Sequence, residues 1–134
     1  MPDNFRRVLA PVEDPRRAIT DGSITGKQVR SLRMSLDLPV ADVARVLGMS
    51  ERNMIRREQG ETALSVADAD RAFRLARVAD LAVALLGDAE RAKAWIKSPH
   101  RYLGGETPVI MIETEIGTDL VIESLYAIAY GGVA

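Results

Sequence analysis

The sequence predicts an all-α fold, because its apolar residues recur at helical spacing between residues that start and stop helices. An early helix begins after Ser23 or Thr25 and runs to Leu36, and Pro39 forbids its continuation. The segment from Val66 to about Leu86 is rich in alanine and apolar around most of its circumference, so it must be an enclosed central helix. Near the end, apolar residues lie at i, i+4 and i+7: Val121, Leu125 and Ile128. We therefore expect a helix-turn-helix bundle, a long linking helix and a small helical C-terminal half.

Residues 1–21 predict a mobile N-terminal arm. They combine three prolines and two Arg pairs with little periodicity, and a short helical or extended piece is expected near Phe5–Leu9. The Arg6-Arg7 and Arg16-Arg17 pairs could contact phosphate, although a solvated arm is the commoner use of such pairs.

Residues 22–64 predict a helix-turn-helix unit. Pro39 begins a short helix, Gly48 ends it, and Ser50 caps a second helix that runs through Arg57. The stretch Ala44–Ser50 resembles the turn of Xre/Cro-type repressors, whose second helix presents its outward side chains to the DNA major groove. The candidate DNA-binding residues on that helix are Ser50, Arg52, Asn53, Arg56 and Arg57. The alternative is a helix-turn-helix kept as a packing scaffold or dimer surface, and Ile55 is an outward apolar residue that could meet a partner chain.

Between the two ends, Ser65 starts the long helix, and Asp88 caps another helix that ends at Lys97. Trp95 is the only tryptophan and is expected in the core where helices meet, whereas His100 is expected at the surface or in packing. On the long helix three arginines recur at a spacing of three beside Asp70 and Asp80: Arg71, Arg74 and Arg77. They indicate an exposed, salt-bridged strip, with a basic groove as the less favoured interpretation.

In the last third, Thr107 can cap a helix that begins at Pro108, and Gly117 can end it in a left-handed conformation. Thr118 can then cap the final helix, which Gly131 stops.

A resemblance to a known family lies in this part of the chain. The motifs that carry it are Trp95-x3-Pro99, Leu103-Gly104-Gly105-x-Thr107-Pro108, Thr114-Glu115-x-Gly117, Val121-x3-Leu125 and Tyr130-Gly131. Residues 65–134 resemble the toxin-binding domain of the Xre/MbcA/ParS antitoxin family, and the helix-turn-helix half upstream also fits. The resemblance implies a non-catalytic antitoxin of a type II toxin–antitoxin system. Its partner would be a RES-domain toxin that consumes NAD, neutralised when the C-terminal part of the antitoxin covers the active site.

Carried onto this chain, the resemblance implies toxin-binding residues at Tyr126, Tyr130, Gly131, Gly132, Val133 and Ala134, and structural core residues at Trp95, Pro108 and Leu125. Without it, the Gly131-Gly132 pair would be an ordinary helix stop with a frayed end. The family also implies autoregulation by binding operator DNA, with a homodimer as one option. The alternative function is a stand-alone helix-turn-helix transcriptional regulator whose C-terminal half dimerises or senses a ligand.

The charge of the chain is divided between its halves. Residues 1–60 hold 11 Lys+Arg and 8 Asp+Glu, whereas residues 61–134 hold 7 and 11, and no base follows Arg101. A basic front suits a polyanion and an acidic tail suits a cationic partner, although chance solvation would give the same balance. With no cysteine, a single histidine and no phosphate-binding glycine motif, we expect no cofactor, metal site or enzyme activity. The absence of a long apolar run predicts no membrane segment and a cytoplasmic location.

Overall fold

The structure is a computed structural model that describes residues 4–10, 14–20 and 22–131. Within these ranges the chain is helical and has no β-strand, apart from one isolated antiparallel bridge between Thr25 and Ala63. The helices are α1 (Phe5–Leu9), α2 (Pro15–Thr20), α3 (Gly26–Ser35), α4 (Val40–Leu47), α5 (Glu51–Glu58), α6 (Val66–Leu86), α7 (Ala89–Ile96), α8 (Pro108–Met111) and α9 (Glu115–Tyr126). A 3₁₀ turn (Arg101–Leu103) precedes α8, and a π-helical turn (Ala127–Gly131) continues α9. The predicted all-α class is confirmed.

Helix α6 is the element against which the rest of the fold packs. The Ser65 hydroxyl accepts the Asp68 N–H at 3.1 Å to begin it, and Gly87 ends it with a φ of 84°. Helices α1, α4, α7 and α9 all pack on it. Its buried residues are mostly small, which lets these neighbours approach closely: Ala69, Ala72, Leu75, Ala76, Val78, Ala79 and Ala82. Of the described helices, none is both long enough and apolar enough to cross a membrane.

Helices α3, α4 and α5 form the helix-turn-helix unit. Gly48 ends α4 with a φ of 72°, and the Ser50 hydroxyl accepts the Asn53 N–H at 3.1 Å to begin α5. At its other end α5 rests against Gly26, where an added Cβ would lie 1.8 Å from the Arg57 carbonyl oxygen. Only glycine therefore permits this contact between α3 and α5. Glu58, 6% exposed, receives two hydrogen bonds from the Arg33 guanidinium at 2.8 and 2.9 Å, and these hold the pKa of Arg33 above its usual value.

The short piece that the sequence predicts near Phe5–Leu9 is present as α1, but it packs on the fold and does not belong to a mobile arm. Phe5 and Leu9 of α1 are buried, and α1 packs on both α3 and α6. Asn4 makes no capping hydrogen bond, and Asp80 of α6 takes its place by accepting the backbone N–H groups of Phe5 and Arg6 and the Arg6 Nε at 2.7 Å. Residues 14–20 are also structured, as Asp14 followed by α2. The remainder of the predicted arm, residues 1–3, 11–13 and 21, lies outside the described residues.

The turn between α8 and α9 corrects two predictions. Gly117 does not end a helix: it lies in the first turn of α9, and its N–H is accepted by the hydroxyl of Thr114, which is the actual cap, at 2.9 Å. Thr118 is buried instead of capping, and its hydroxyl donates to the Thr114 carbonyl at 2.7 Å. An added Cβ on Gly117 would lie 1.9 Å from the Met111 carbonyl oxygen. The glycine is needed for this close approach, because the end of α8 touches the start of α9.

Two arginines of the expected surface strip join α6 to other elements. Arg71 forms a weak ion pair with Asp68, and its guanidinium donates to the Leu47 carbonyl at 3.2 Å. Arg74 forms a weak ion pair with Asp70, and its guanidinium donates to the Ile112 carbonyl at 3.3 Å. The strip prediction is therefore incomplete, because these two side chains tie α6 to the ends of α4 and α8 while Arg77 is exposed.

Trp95, Pro108 and Leu125 all lie in the buried interior. Trp95 stacks on His100 with ring centroids 5.0 Å apart, and the His100 Nε2 is 2.9 Å from the Trp95 carbonyl oxygen. His100 therefore belongs to the packing around the tryptophan.

Candidate functional site

The outward face of α9 and its π-helical continuation exposes large apolar side chains. Ile116 is 78% exposed, Tyr126 46% and Tyr130 77%, and Leu120 is also exposed. The opposite side of the same helix is fully buried at Val121 and Leu125. An exposed patch of this kind, rather than a scattered apolar residue, marks a surface for binding another macromolecule.

The charged residues of α9 itself are all acidic. Glu115, Asp119 and Glu123 are exposed on α9, and no Lys or Arg follows Arg101. Glu115 lies in the first turn, where the helix dipole favours a carboxylate. The outward side of α9 therefore combines apolar and aromatic groups with carboxylates, and Arg74 and Arg77 of α6 line a groove together with Glu115 and Asp119 at its edge. The carboxylates suit a cationic, partly apolar partner.

Tyr126 and Tyr130 form one aromatic platform. Their ring centroids are 6.0 Å apart with 17° between the planes; Tyr126 is the last residue of α9 and Tyr130 lies in the π-helical turn that follows. Short π-helical turns occur frequently at functional sites. Gly131 is exposed at the end of this turn, whereas the other three residues of the predicted toxin-binding set, Gly132, Val133 and Ala134, lie outside the described residues.

Beside the platform, a groove of about 390 Å³ separates α9 from α1 and α6. Tyr126 and Ile122 form one wall, and Arg6 and Leu81 lie on the others. The groove brings the N-terminal helix to the edge of the candidate site, which sequence reasoning could not foresee.

The sequence-predicted site also lacked Ile116 and Leu120. Both are apolar residues of α9 that fall off the buried row formed by Val121, Leu125 and Ile128. A search for apolar residues outside that row would have found them.

A second exposed surface is the outward side of α5. Arg52 and Arg56 are exposed, while Asn53 and Arg57 are half-buried. The Arg56 Nη2 donates to the Asn53 Oδ1 at 2.8 Å, and the Ser50 hydroxyl is occupied in capping. Of the predicted DNA-binding residues, Arg52 and Arg56 are thus the side chains most available to a ligand.

In the part of the chain that the structure describes, no metal-binding arrangement accompanies these surfaces. Among residues 4–10, 14–20 and 22–131, no cluster of three His, Cys, Asp or Glu side chains could hold a metal ion. Asp42 in α4 lies outside both surfaces. Burial raises the pKa of its carboxyl group, and the nearby charge of Arg45 acts in the opposite direction.

The fold defines an all-α class in which a helix-turn-helix unit and a C-terminal helical unit share one long helix. Residues 81–131 match the family model described as the antitoxin Xre/MbcA/ParS C-terminal toxin-binding domain. The chain is 34% identical over 113 residues to an antitoxin Xre of Pseudomonas putida, an alignment that covers 84% of this chain and 69% of that protein. It is 29% identical over 104 residues to an antitoxin Xre of Yersinia enterocolitica, covering 77% and 70% of the two chains. The chain therefore belongs to the Xre/MbcA/ParS family of antitoxins.

A solved structure shows the same fold. A chain of the crystal structure of the M. tuberculosis MbcT–MbcA toxin–antitoxin complex superposes with a TM-score of 0.59 at 24% sequence identity. The superposition covers 81% of this chain and 96% of that one.

Proposed function

We propose that this antitoxin neutralises a RES-domain, NAD-consuming toxin by covering the active site of the toxin with α9 and the residues that follow it. The observation that carries the proposal is the exposed face of Ile116, Leu120, Tyr126 and Tyr130 in a stretch that holds acids and no base. The family model that matches residues 81–131 is a toxin-binding domain, which supports the same surface. The antitoxin performs no reaction itself.

The chemistry of the two surfaces is complementary. A pocket that holds the pyrophosphate of NAD must present cations or N–H donors, so the carboxylates of Glu115, Asp119 and Glu123 can pair with the same groups. Exposed tyrosines supply large apolar area with few rotatable bonds, and such residues dominate the binding energy of protein interfaces. Steric cover by the aromatic platform together with charge competition would keep NAD out.

The test is titration of the toxin's NAD consumption with purified antitoxin variants. We expect Tyr126→Ala and Tyr130→Ala each to raise the antitoxin concentration needed for half-inhibition at least tenfold, since a hot-spot residue contributes about 2 kcal/mol or more. Tyr102→Ala is a matched control, because Tyr102 is 44% exposed against 46% for Tyr126 but lies on the 3₁₀ turn outside α9. Equal inhibition by all three variants would refute the proposal.

Removal of residues 131–134 tests the predicted role of the chain end. We expect this deletion to abolish inhibition while the circular dichroism spectrum and melting temperature stay close to those of the full chain. Full inhibition by the shortened chain would show that Gly131 and the residues after it take no part. DNA binding without any effect on a toxin would instead favour the stand-alone regulator.

We also propose that α5 binds operator DNA and so autoregulates the operon. Arg52 and Arg56 are exposed on a helix that a serine cap begins and that Gly26 and Arg33 fix at its C-terminal end. Arginine at such positions contacts guanine edges or phosphates in the major groove.

The measurement is fluorescence anisotropy with a duplex from the region upstream of the gene. Arg52→Ala and Arg56→Ala should each weaken binding about tenfold and lower its salt dependence. The control is Arg101→Ala, an exposed arginine of the C-terminal half, which should leave binding unchanged. If the chain binds as a homodimer, the fitted stoichiometry will be two chains per site.

A further inference from the structure

Ile55 is a large apolar side chain in the middle of the charged outward face of α5. It is 44% exposed, whereas Met54 beside it fills the core of the helix-turn-helix unit. Arg52 and Arg56, both exposed, stand three residues before it and one residue after it. Nearly half of the residue is therefore presented outward, among cations.

Ile55 also borders an open groove of about 600 Å³ between α3 and α5. The α3 side of this groove carries Lys27 and Arg30, whose side chains are 57% and 56% exposed. Lys27 pairs with the exposed Glu61 at 3.3 Å. Arg30 lies 4.0 Å from the buried Glu58 carboxylate, which is already bonded to Arg33, and both Lys27 and Arg30 stay more than half exposed. Cations thus stand on both sides of the isoleucine.

We propose that Ile55 contacts the C5-methyl group of a thymine in the major groove and is a specificity-determining residue of this chain. The proposal rests on the DNA-binding function proposed above for α5. The thymine methyl is the apolar group that a base pair presents in the major groove, and a branched aliphatic side chain on a groove-facing helix is its natural partner. The surrounding arginines and Lys27 face the phosphates on either side, where their charge is needed.

A contact between two copies of the chain is the competing use of Ile55. A two-fold axis through Ile55 would bring Arg52 and Arg56 of one copy close to the same residues of the other, and Glu51 is the one exposed acid of α5 that could offset the repulsion. The backbone of DNA has the opposite charge, so the same cations favour a duplex as the occupant.

The experiment combines a base analogue with a substitution. Duplexes from the upstream region are prepared with each thymine in turn replaced by deoxyuridine, which lacks only the methyl group, and binding is followed by anisotropy. We expect one such replacement to weaken binding of the unchanged protein about fourfold, the equivalent of one buried methyl group. Ile55→Ala should bind the thymine duplex more weakly by a similar factor and should no longer distinguish thymine from deoxyuridine at that position.

The control is Val66→Ala, since Val66 is a still more exposed apolar residue at the start of α6. This variant should retain both the affinity and the discrimination. Equal binding of thymine and deoxyuridine duplexes by the unchanged protein refutes the role of Ile55 and leaves the DNA-binding function standing. Absence of binding to any duplex refutes both. Conversion of a dimer to a monomer by Ile55→Ala, with discrimination intact, assigns the residue to a contact between copies and overturns the proposal.

Discussion

Replacement of Gly117 by alanine tests how the start of α9 is positioned. The new Cβ would lie 1.9 Å from the Met111 carbonyl oxygen and 2.9 Å from the Thr114 hydroxyl oxygen, whereas ordinary contacts begin at 3.4 Å. The first turn of α9 must therefore move by about 1.5 Å, the difference between the 3.4 Å of an ordinary contact and the 1.9 Å to the Met111 oxygen. Alanine in a helix is favoured over glycine by about 1 kcal/mol, but overpacking against backbone costs about 3 kcal/mol. We expect a net loss of about 2 kcal/mol in the free energy of unfolding and a fall of roughly 7 °C in the melting temperature.

The assay is urea denaturation and thermal melting followed by circular dichroism, together with inhibition of the toxin. Gly60→Ala is the matched control, because its Cβ would meet nothing closer than 3.9 Å, and its stability should change by less than about 0.5 kcal/mol. Displacement of α9 should also weaken inhibition by Gly117→Ala but not by Gly60→Ala. A Gly117→Ala variant as stable as the unchanged protein would refute the view that this glycine is required for the contact between α8 and α9.

Three further predictions concern charged groups. Glu58→Gln removes the nearly buried charged partner of Arg33 and should lower the free energy of unfolding by about 3 kcal/mol. The measurement is urea denaturation, and a loss below about 0.5 kcal/mol, the size expected for a surface substitution, would contradict this prediction. Asp80→Ala should speed amide hydrogen exchange throughout α1, because the cap of α1 comes from this carboxylate, and unaltered protection would speak against it. Burial raises the pKa of Asp42, so the folded state disfavours its ionised form, and this cost is absent below the ordinary pKa of 3.8 and complete above the raised value. The stability of Asp42→Asn relative to the unchanged protein should therefore increase as the pH rises from 3 to 7. The measurement is the difference in unfolding free energy between the two proteins at each pH, and a difference that does not change with pH would be inconsistent with this assignment.

The helix ends that the sequence predicts well are those fixed by a few neighbouring residues. Ser65 and Gly87 delimit α6, and Gly48 and Ser50 delimit the turn between α4 and α5, because each signal is complete within one helical turn. For α1 the sequence indicated a short helical or extended piece near Phe5–Leu9, but neither its cap nor its packing on α6. Its cap is Asp80, which lies 75 residues from Phe5 in the chain, and no local pattern records that contact.

The start of α9 shows a different limit. Thr114 and Thr118 both precede residues that could begin a helix, and local preference does not choose between them. The choice follows from packing, because the Thr118 side chain is buried against the turn after α8 while Thr114 remains at the surface.

The sequence indicated which residue types belong to the candidate sites, but not which of their side chains are exposed and free of other hydrogen bonds. Tyr126 and Tyr130 are exposed, as a binding role requires. Ile116 is more exposed than Tyr126, but it stands at the unspecified position of the motif Thr114-Glu115-x-Gly117. On α5 the sequence could not show that the Ser50 hydroxyl is used by the cap while Arg52 stays exposed. The binding roles of these residues remain predictions until the variants above are measured.

The shared use of α6 determines how this chain can be divided experimentally. Arg71 joins α6 by a hydrogen bond to the end of α4, and Arg74 joins it to the end of α8. The same helix therefore completes the interior of both units. A fragment cut on either side of α6 would leave its alanine-lined surface in water. Degradation that begins at one end of the antitoxin would therefore also unfold the other end. Under the two functions proposed above, cover of the toxin and occupancy of the operator would then be lost in a single proteolytic event.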